Sequence, residues 1–302
     1  MDRLLFCFPG NEALGENLLN RPGYRIGKAI LRRFPDRESY VRILTDVKGE
    51  NVDILCTLHQ PDDKLMMIYF FSQLAKQLGA KSVRLIAPYL AYMRQDKEFH
   101  PGEAVTSDLF AQLLGSWIDE LITIDPHLHR HPRLSDIYDI PTTVLHAGPL
   151  IVDHIRKHLS KPVLIGPDEE SKQWVAAIAS QVGCDFLVLK KERLGDRTVR
   201  IDVPDAPKFR DHSPVLVDDI ISTGHTMMET AGHLNEHGIP PPVCIGVHAV
   251  FAGNAWKEML AAGIRHIVTT NTIAHPSNAI DVSELLTSGL FSQGFRSGDH
   301  VE

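Results

Sequence analysis

Short runs of Val, Leu and Ile alternate with helical patterns from one end of the chain to the other, and this alternation constrains the fold more than any other feature. Strands buried on both faces read as near-continuous apolar runs, as in sheets covered by helices on both sides. Such runs predict strands at Arg3–Phe8, Asp53–Leu58, Ser82–Pro88, Leu121–Asp125, Pro162–Gly166, Phe186–Lys190, Pro214–Val217, Val243–Val247 and His266–Thr270. Helical patterns fall near 12–19, 62–78, 106–117, 148–159, 170–182, 226–237, 254–262 and 282–289. The alternation predicts an α/β protein with mainly parallel sheets. Ser39–Leu44 and Val199–Val203 read instead as parts of a hairpin or flap.

There are strands enough for two sheets, and 302 residues suit one large or two ordinary domains. The boundary is expected near His146–Ala147, after a short strand starting at Pro141, giving domains at 1–146 and 147–302. The last dozen residues read as a frayed tail.

A net charge of −7 argues against a nucleic-acid partner but leaves anionic small substrates open, because local basic groups can oppose the global sign. Cys7, Cys56, Cys184 and Cys244 lie far apart in or beside apolar runs, without metal-type spacing, and read as buried free thiols. LLFCF near the start is too short for a secretory signal, and no run reaches membrane-spanning length. A cytoplasmic protein without a membrane partner is expected.

The helix at 62–78 carries apolar residues almost all the way round, from Leu65 to Phe71. It should be covered on several sides, either within one chain or by another subunit.

The segment VLVDDIISTGHTMMET, residues 215–230, runs from an apolar strand through two acids and a small-residue loop into a helix. Backbone N–H groups at such a helix start form an anion site, to which Ser222, Thr223 and Thr226 add hydroxyl donors while Gly224 allows close approach. Asp218 and Asp219 can accept hydrogen bonds from a vicinal diol. The plainer alternative is a strand followed by a helix capped by Asp219 or Ser222.

Five further segments carry polar groups at or near strand ends. APYLAYMRQDKEF, from Ala87, holds Arg94, whose guanidinium can fork onto phosphate oxygens, with Gln95 and Asp96 beside it. Phe34-Pro35-Asp36-Arg37-Glu38 offers a stacking ring and two acceptors, or is simply a turn. TIDPHLHRHPRL places His127, His129 and His131 on a loop, where a zinc cluster is the less favoured reading. PVLIGPDEESKQW brings Asp168, Glu169 and Glu170 to another strand end. FLVLKKERLGDRTVRI carries Lys191 and Arg193, suited to charge building on phosphoryl oxygens, or a solvated cluster.

In order and in combination these segments resemble the ribose-phosphate pyrophosphokinase family, over roughly residues 3–290. VDDIISTGHT is similar to the phosphoribosyl-diphosphate motif of that fold. The resemblance implies two tandem, similar phosphoribosyltransferase-like domains, the first binding nucleotide and the second ribose 5-phosphate, with a C-terminal helix able to pack back on the first. It implies that Asp218 and Asp219 hold the ribose hydroxyls, and that Ser222, Thr223, Gly224, His225 and Thr226 hold the 5′-phosphate. It assigns Phe34, Asp36, Glu38, Arg94, Gln95 and Asp96 to ATP, with the Phe34–Glu38 element serving a neighbouring subunit. His127 and Asp168 fall to Mg2+, and Lys191 and Arg193 to catalysis on a closing segment. Val247–Ala255 resembles a structural segment near the end of the family's fold.

The implied reaction moves the diphosphoryl group of MgATP to the C1 hydroxyl of ribose 5-phosphate, within a homo-oligomer. A salvage phosphoribosyltransferase, a non-catalytic regulatory homologue, and a kinase using another pentose phosphate or donor remain alternatives. Arg37, Glu169, Glu170, Lys190 and His225 depart from the family's usual pattern.

Overall fold

The computed structural model describes residues 2–128, 130–167, 171–193, 199–202 and 206–292. The chain forms two compact units.

The first unit contains the strands β1 (Arg3–Cys7), β2 (Tyr24–Ile26), β3 (Ala29–Arg33), β4 (Ser39–Ile43), β5 (Asn51–Leu55), β6 (Ser82–Ala87), β7 (Glu120–Ile124) and β8 (Thr142–Leu145). Its helices are α1 (Glu12–Leu19), α2 (Asp62–Gln77) and α3 (Thr106–Gly115). Six strands make one parallel sheet in the order β2-β1-β5-β6-β7-β8, while β3 and β4 form a separate antiparallel hairpin. The central strands are buried on both faces and mostly apolar, interrupted by Asp53 of β5 and Arg84 of β6. Val52, Ile54 and Leu55 of β5, and Val83, Leu85 and Ile86 of β6, are all closed to solvent. Phe71 of α2 packs edge-on against Phe6 and Phe8, with ring centroids 4.9 and 5.4 Å away.

The second unit contains α4 (Gly148–His158), β9 (Pro162–Gly166), α5 (Lys172–Val182), β10 (Asp185–Val188), β11 (Lys190–Arg193), β12 (Val199–Asp202), β13 (Ser213–Ile221), α6 (His225–Glu236), β14 (Val243–Ala249), α7 (Ala255–Ala261), β15 (His266–Thr270) and β16 (Asn278–Ile280). Its parallel sheet runs β10-β9-β13-β14-β15-β16. The last helix, α8 (Ser283–Ser292), belongs to the first unit, where it packs against α1 and β8.

Every expected strand and helix core is present, and three expectations need correction. The run Phe186–Lys190 is not one strand: β10 ends at Val188, and Lys190 opens β11, which pairs antiparallel with β12. The two segments expected in a hairpin or flap are arms of two different hairpins, Ser39–Ile43 pairing with β3 and Val199–Asp202 with β11. The strand expected to end at Val217 continues to Ile221, so Asp218 and Asp219 both lie within it.

The all-apolar helix α2 is covered on one side only. Met67, Ile68 and Phe71 are buried, whereas Met66 and Phe70 are 49 % and 41 % exposed. Cys56 and Cys244 are buried as expected, but Cys7 and Cys184 are only half-buried. Among the described residues no helix is long and apolar enough to cross a membrane.

Candidate functional site

In the second unit, the site grows from the C-terminal end of β13. Asp218 pairs with Gly246 of β14, and Ile220 and Ile221 pair with His248 and Ala249. The strand therefore keeps its ladder across both acids. A Cβ on Gly246 would come within 2.6 Å of the Ile221 side chain, so this glycine admits Ile221 beneath the strand end. Asp218 and Asp219 are half-buried, and the Asp219 N–H donates to Asp218 Oδ1 at 2.9 Å.

The chain then turns through Ser222, Thr223 and Gly224 into α6, which opens at His225 rather than at Thr226. Gly224 is the N-cap, at φ 67°, and no side chain caps the helix. The N-cap position is therefore held by Gly224 and not by Asp219 or Ser222, the two residues of the plainer alternative. A glycine N-cap brings no side chain of its own over the first N–H groups of a helix, which are a ready site for an anion. Thr223, His225 and Thr226 are exposed, and Gly224 is half-buried.

Asp168, Glu169 and Glu170 lie outside the described residues, as do His129 and the C-terminal tail. Lys191 and Arg193 are placed by their backbone on β11, in register with Ile201 and Val199 of β12.

In the first unit, the turn between β3 and β4 carries the Phe34–Glu38 element. The Phe34 N–H donates to the Glu38 carbonyl at 2.8 Å, and the Arg37 N–H to the Phe34 carbonyl at 2.9 Å. Arg37 sits at φ 75°, the left-handed region that glycine adopts without penalty. The departure at this position thus falls on the residue whose backbone most favours glycine. Phe34, Asp36 and Glu38 are all exposed.

The guanidinium of Arg32 lies over the rings of Phe34 and Tyr40, at 4.6 and 4.3 Å. Arg33 and Arg37 both pair with Asp63, at 3.2 and 3.3 Å. These arginines, with Lys64, Phe8 and Leu31, help line a cavity of about 410 Å3. The Lys64 ammonium donates to the carbonyls of Thr57 and His59 at 2.8 and 2.6 Å, and burial lowers its pKa. Neither Arg32 nor Lys64 was expected at a site. The adjacent basic pair before Phe34 was the available signal, but its meaning depends on the hairpin.

Beyond β6, Arg94 is exposed, while Gln95 and Asp96 are half-buried. Asp96 is held by Arg130 Nε at 3.3 Å. His127 follows β7 and is half-buried. Two residues before it, Asp125 sits at φ 35° and bonds His146 Nδ1 at 2.8 Å. That hydrogen bond raises the His146 pKa, against the opposing effect of burial. His131 lies 3.8 Å from Asp108, beyond hydrogen-bonding range.

Two parallel six-stranded sheets, one carrying an acid pair and a small-residue loop at a strand end, define an α/β protein of the phosphoribosyltransferase-like class. The comparisons agree. Residues 4–117 match the N-terminal domain of ribose phosphate pyrophosphokinase, and residues 133–284 match the phosphoribosyl transferase domain. A ribose-phosphate pyrophosphokinase of Methanothermobacter thermautotrophicus is 34% identical over 84% of this chain and 88% of its own. One of Helicobacter pylori is 28% identical over 99% of this chain and 93% of its own. The crystal structure of phosphoribosylpyrophosphate synthetase from Mycobacterium smegmatis shares the fold, with a TM-score of 0.84 at 22% identity over 99% of this chain and all of that one. The chain belongs to the ribose-phosphate pyrophosphokinase family.

Proposed function

We propose that this chain is a working ribose-phosphate pyrophosphokinase, with the residue roles that follow. The first unit binds ATP and the second binds ribose 5-phosphate. The observation that carries the second assignment is the continuous run from Asp218 and Asp219 on β13 through a small-residue loop into a helix whose N-cap is glycine. The acids accept hydrogen bonds from the ribose 2′- and 3′-hydroxyls, and Ser222 to Thr226 receive the 5′-phosphate. In the first unit, Arg94, Gln95 and Asp96 contact the nucleotide, and Phe34 with Asp36 and Glu38 offers a stacking face and acceptors for adenine.

The C1 hydroxyl oxygen attacks the β-phosphorus of ATP. The bond from that phosphorus to the α,β-bridging oxygen breaks, AMP leaves with the electron pair, and the hydroxyl proton passes to solvent. The protein's work is alignment and charge neutralisation. Lys191 and Arg193 stabilise charge on the transferring group.

His127 and Asp168 are the residues assigned to Mg2+. Among the described residues no three His, Cys, Asp or Glu side chains gather into a cage. Mg2+ is commonly held by one or two carboxylates and completes its shell with phosphate oxygens and water; Asp168 would supply the carboxylate and His127 an imidazole. When bound, the ion neutralises phosphate charge.

The exposed apolar residues Met66 and Phe70 of α2, with Leu109 and Leu113 of α3 at 55% and 45% exposure, support a homo-oligomer in which a second copy covers them. An intracellular, cytoplasmic setting suits both substrates.

The test is direct. The protein is incubated with ATP, Mg2+ and ribose 5-phosphate, and AMP and phosphoribosyl diphosphate are followed together. Equal release of both is expected. Folded protein that releases neither, with several pentose phosphates tried, overturns the reading.

A further inference from the structure

Phe251 lies two residues beyond β14, on a backbone turned to φ 36°. A non-glycine residue persists in this region only where its surroundings over-determine it, and such residues gather at functional sites. Two sets of contacts hold Phe251 there. Its N–H donates to the Ile221 carbonyl at 2.9 Å, and the N–H of Ala252 donates to the Ser222 carbonyl at 3.1 Å. These bonds carry the β13–β14 pairing past the end of the strands and onto the first residue of the anion loop.

The ring, half-buried, lies against the ring of His275, with centroids 4.4 Å apart and planes 31° apart. His275 in turn meets Trp256 of α7 edge-on at 5.1 Å. His275 is itself anchored beside β15 and β16. Its N–H donates to Asn278 Oδ1 at 2.8 Å, its Nδ1 lies 2.7 Å from Ser277 Oγ, and Asn278 Nδ2 donates to the Thr270 carbonyl at 2.6 Å. The loop's other end rests on the same helix α7: a Cβ on Gly224 would lie 2.4 Å from the sulfur of the fully buried Met259.

We propose that Phe251, braced by His275 and Trp256, is a positioning residue for sugar-phosphate binding. It fixes the carbonyls of Ile221 and Ser222, and with them the direction in which the Ser222–Thr226 backbone presents its N–H groups. A binding loop held in one shape before its ligand arrives avoids the ordering cost on binding. The proposal rests on reading Ser222–Thr226 as the 5′-phosphate loop.

A positioning role predicts a split between the two substrates. In Phe251→Leu, the KM for ribose 5-phosphate should rise by about ten- to a hundredfold, the scale of a loop misplaced by an ångström. The KM for ATP and the melting temperature should stay close to wild type. Phe251→Tyr, which keeps the ring, should restore the wild-type KM. An unchanged ribose 5-phosphate KM in Phe251→Leu overturns the proposal. So does a parallel rise for both substrates with a lowered melting temperature, which marks general loosening. If Phe251→Leu does not fold, His275→Leu, which removes the brace and leaves the backbone bonds, decides on the same criteria. If the wild-type protein makes no AMP, the functional reading fails separately, and calorimetric binding of inorganic phosphate then tests the loop. Weaker binding in Phe251→Leu supports the brace, whereas equal binding, or none to the wild type, overturns it.

Discussion

Arg84 closes on both carboxylate oxygens of Asp53, at 3.1 and 2.6 Å, with neither side chain open to solvent by more than 6%. The pair sits inside a parallel sheet, where Asp53 of β5 lies in register with Arg84 of β6. Arg3 Nε and the Tyr24 hydroxyl donate to the same carboxylate at 2.7 and 2.9 Å, so its lone pairs are used from both neighbouring directions. Burial pushes the Tyr24 phenol well above its ordinary value, which keeps it a donor. A buried ion pair holds its place only while every member is satisfied, and removing one partner leaves a buried charge uncompensated. Asp53→Asn should therefore cost about 3–5 kcal/mol of stability. Asp53→Leu combined with Arg84→Met should recover most of it. Urea midpoints check both. Activity per folded molecule should be unchanged, because Asp53 and Arg84 lie in the body of β5 and β6, short of the C-terminal edge where ligands of α/β sheets bind.

Burial raises the Cys7 thiol from 9.0 to about 11 and the Cys56 thiol from 9.0 to about 12. Their folded values lie above their unfolded ones, so the associated stability is complete below pH 9. It is lost as pH rises through 11 to 12, because the unfolded chain releases these protons first. Melting temperatures followed from pH 8 upward should fall less steeply in Cys56→Ala than in the wild type. Equal slopes would sink the assignment. At pH 8 the native thiols should also react slowly with a disulfide reagent, and denaturant should expose all four.

The fold was legible where pattern and burial coincide. Val52, Ile54 and Leu55, and Val83, Leu85, Ile86 and Ala87, are apolar and closed to solvent, and the sequence shows this directly. β2 and β16 span three residues each, too short to show a period, and their strand character comes from their neighbours in the sheet. β3 was missed because AILRR alternates only weakly, and its partner β4 defines it. At the site, Asp218, Asp219 and Gly224 could be read locally, since strand, acids and loop are contiguous. The roles of Lys191, Arg193 and His127 came from family resemblance alone. The bracing of the loop by Phe251 and His275, which lie 24 residues apart in the chain, is a tertiary fact that no local pattern carries.

The exposed side of α2 leads to an assembly prediction. Phe70 is 41% exposed and its ring lies 5.7 Å from that of Tyr69, which itself contacts Trp117 at 5.2 Å. If a second copy covers this face, Phe70→Lys should place a charge in an apolar interface and lower the mass seen by light scattering to that of one chain. A wild-type protein that is monomeric at micromolar concentration would refute the proposed oligomer.

Gly224 is constrained twice, by its φ of 67° and by Met259. Gly224→Ala should cost about 1–2 kcal/mol for the left-handed backbone alone, with a steric share in addition. It should also raise the KM for ribose 5-phosphate by displacing the loop. Adding Met259→Ala should remove the steric share and not the dihedral one, so the double variant should bind substrate better than Gly224→Ala. If it binds no better, α7 does not shape the loop.

The proposed division of labour between β13 and β11 predicts opposite kinetic signatures. Asp219→Asn removes an acceptor used by the bound sugar, so the KM for ribose 5-phosphate should rise, with kcat changed less. Lys191→Ala and Arg193→Ala remove charge that matters only as the diphosphoryl group moves, so kcat should fall by about 10²–10³ with both KM values nearly constant. Steady-state rates of AMP release, with each substrate varied in turn, separate the two cases. Full turnover in Lys191→Ala would remove β11 from the catalytic machinery, while a kcat defect confined to Asp219→Asn would move the catalytic role to the acids at the end of β13.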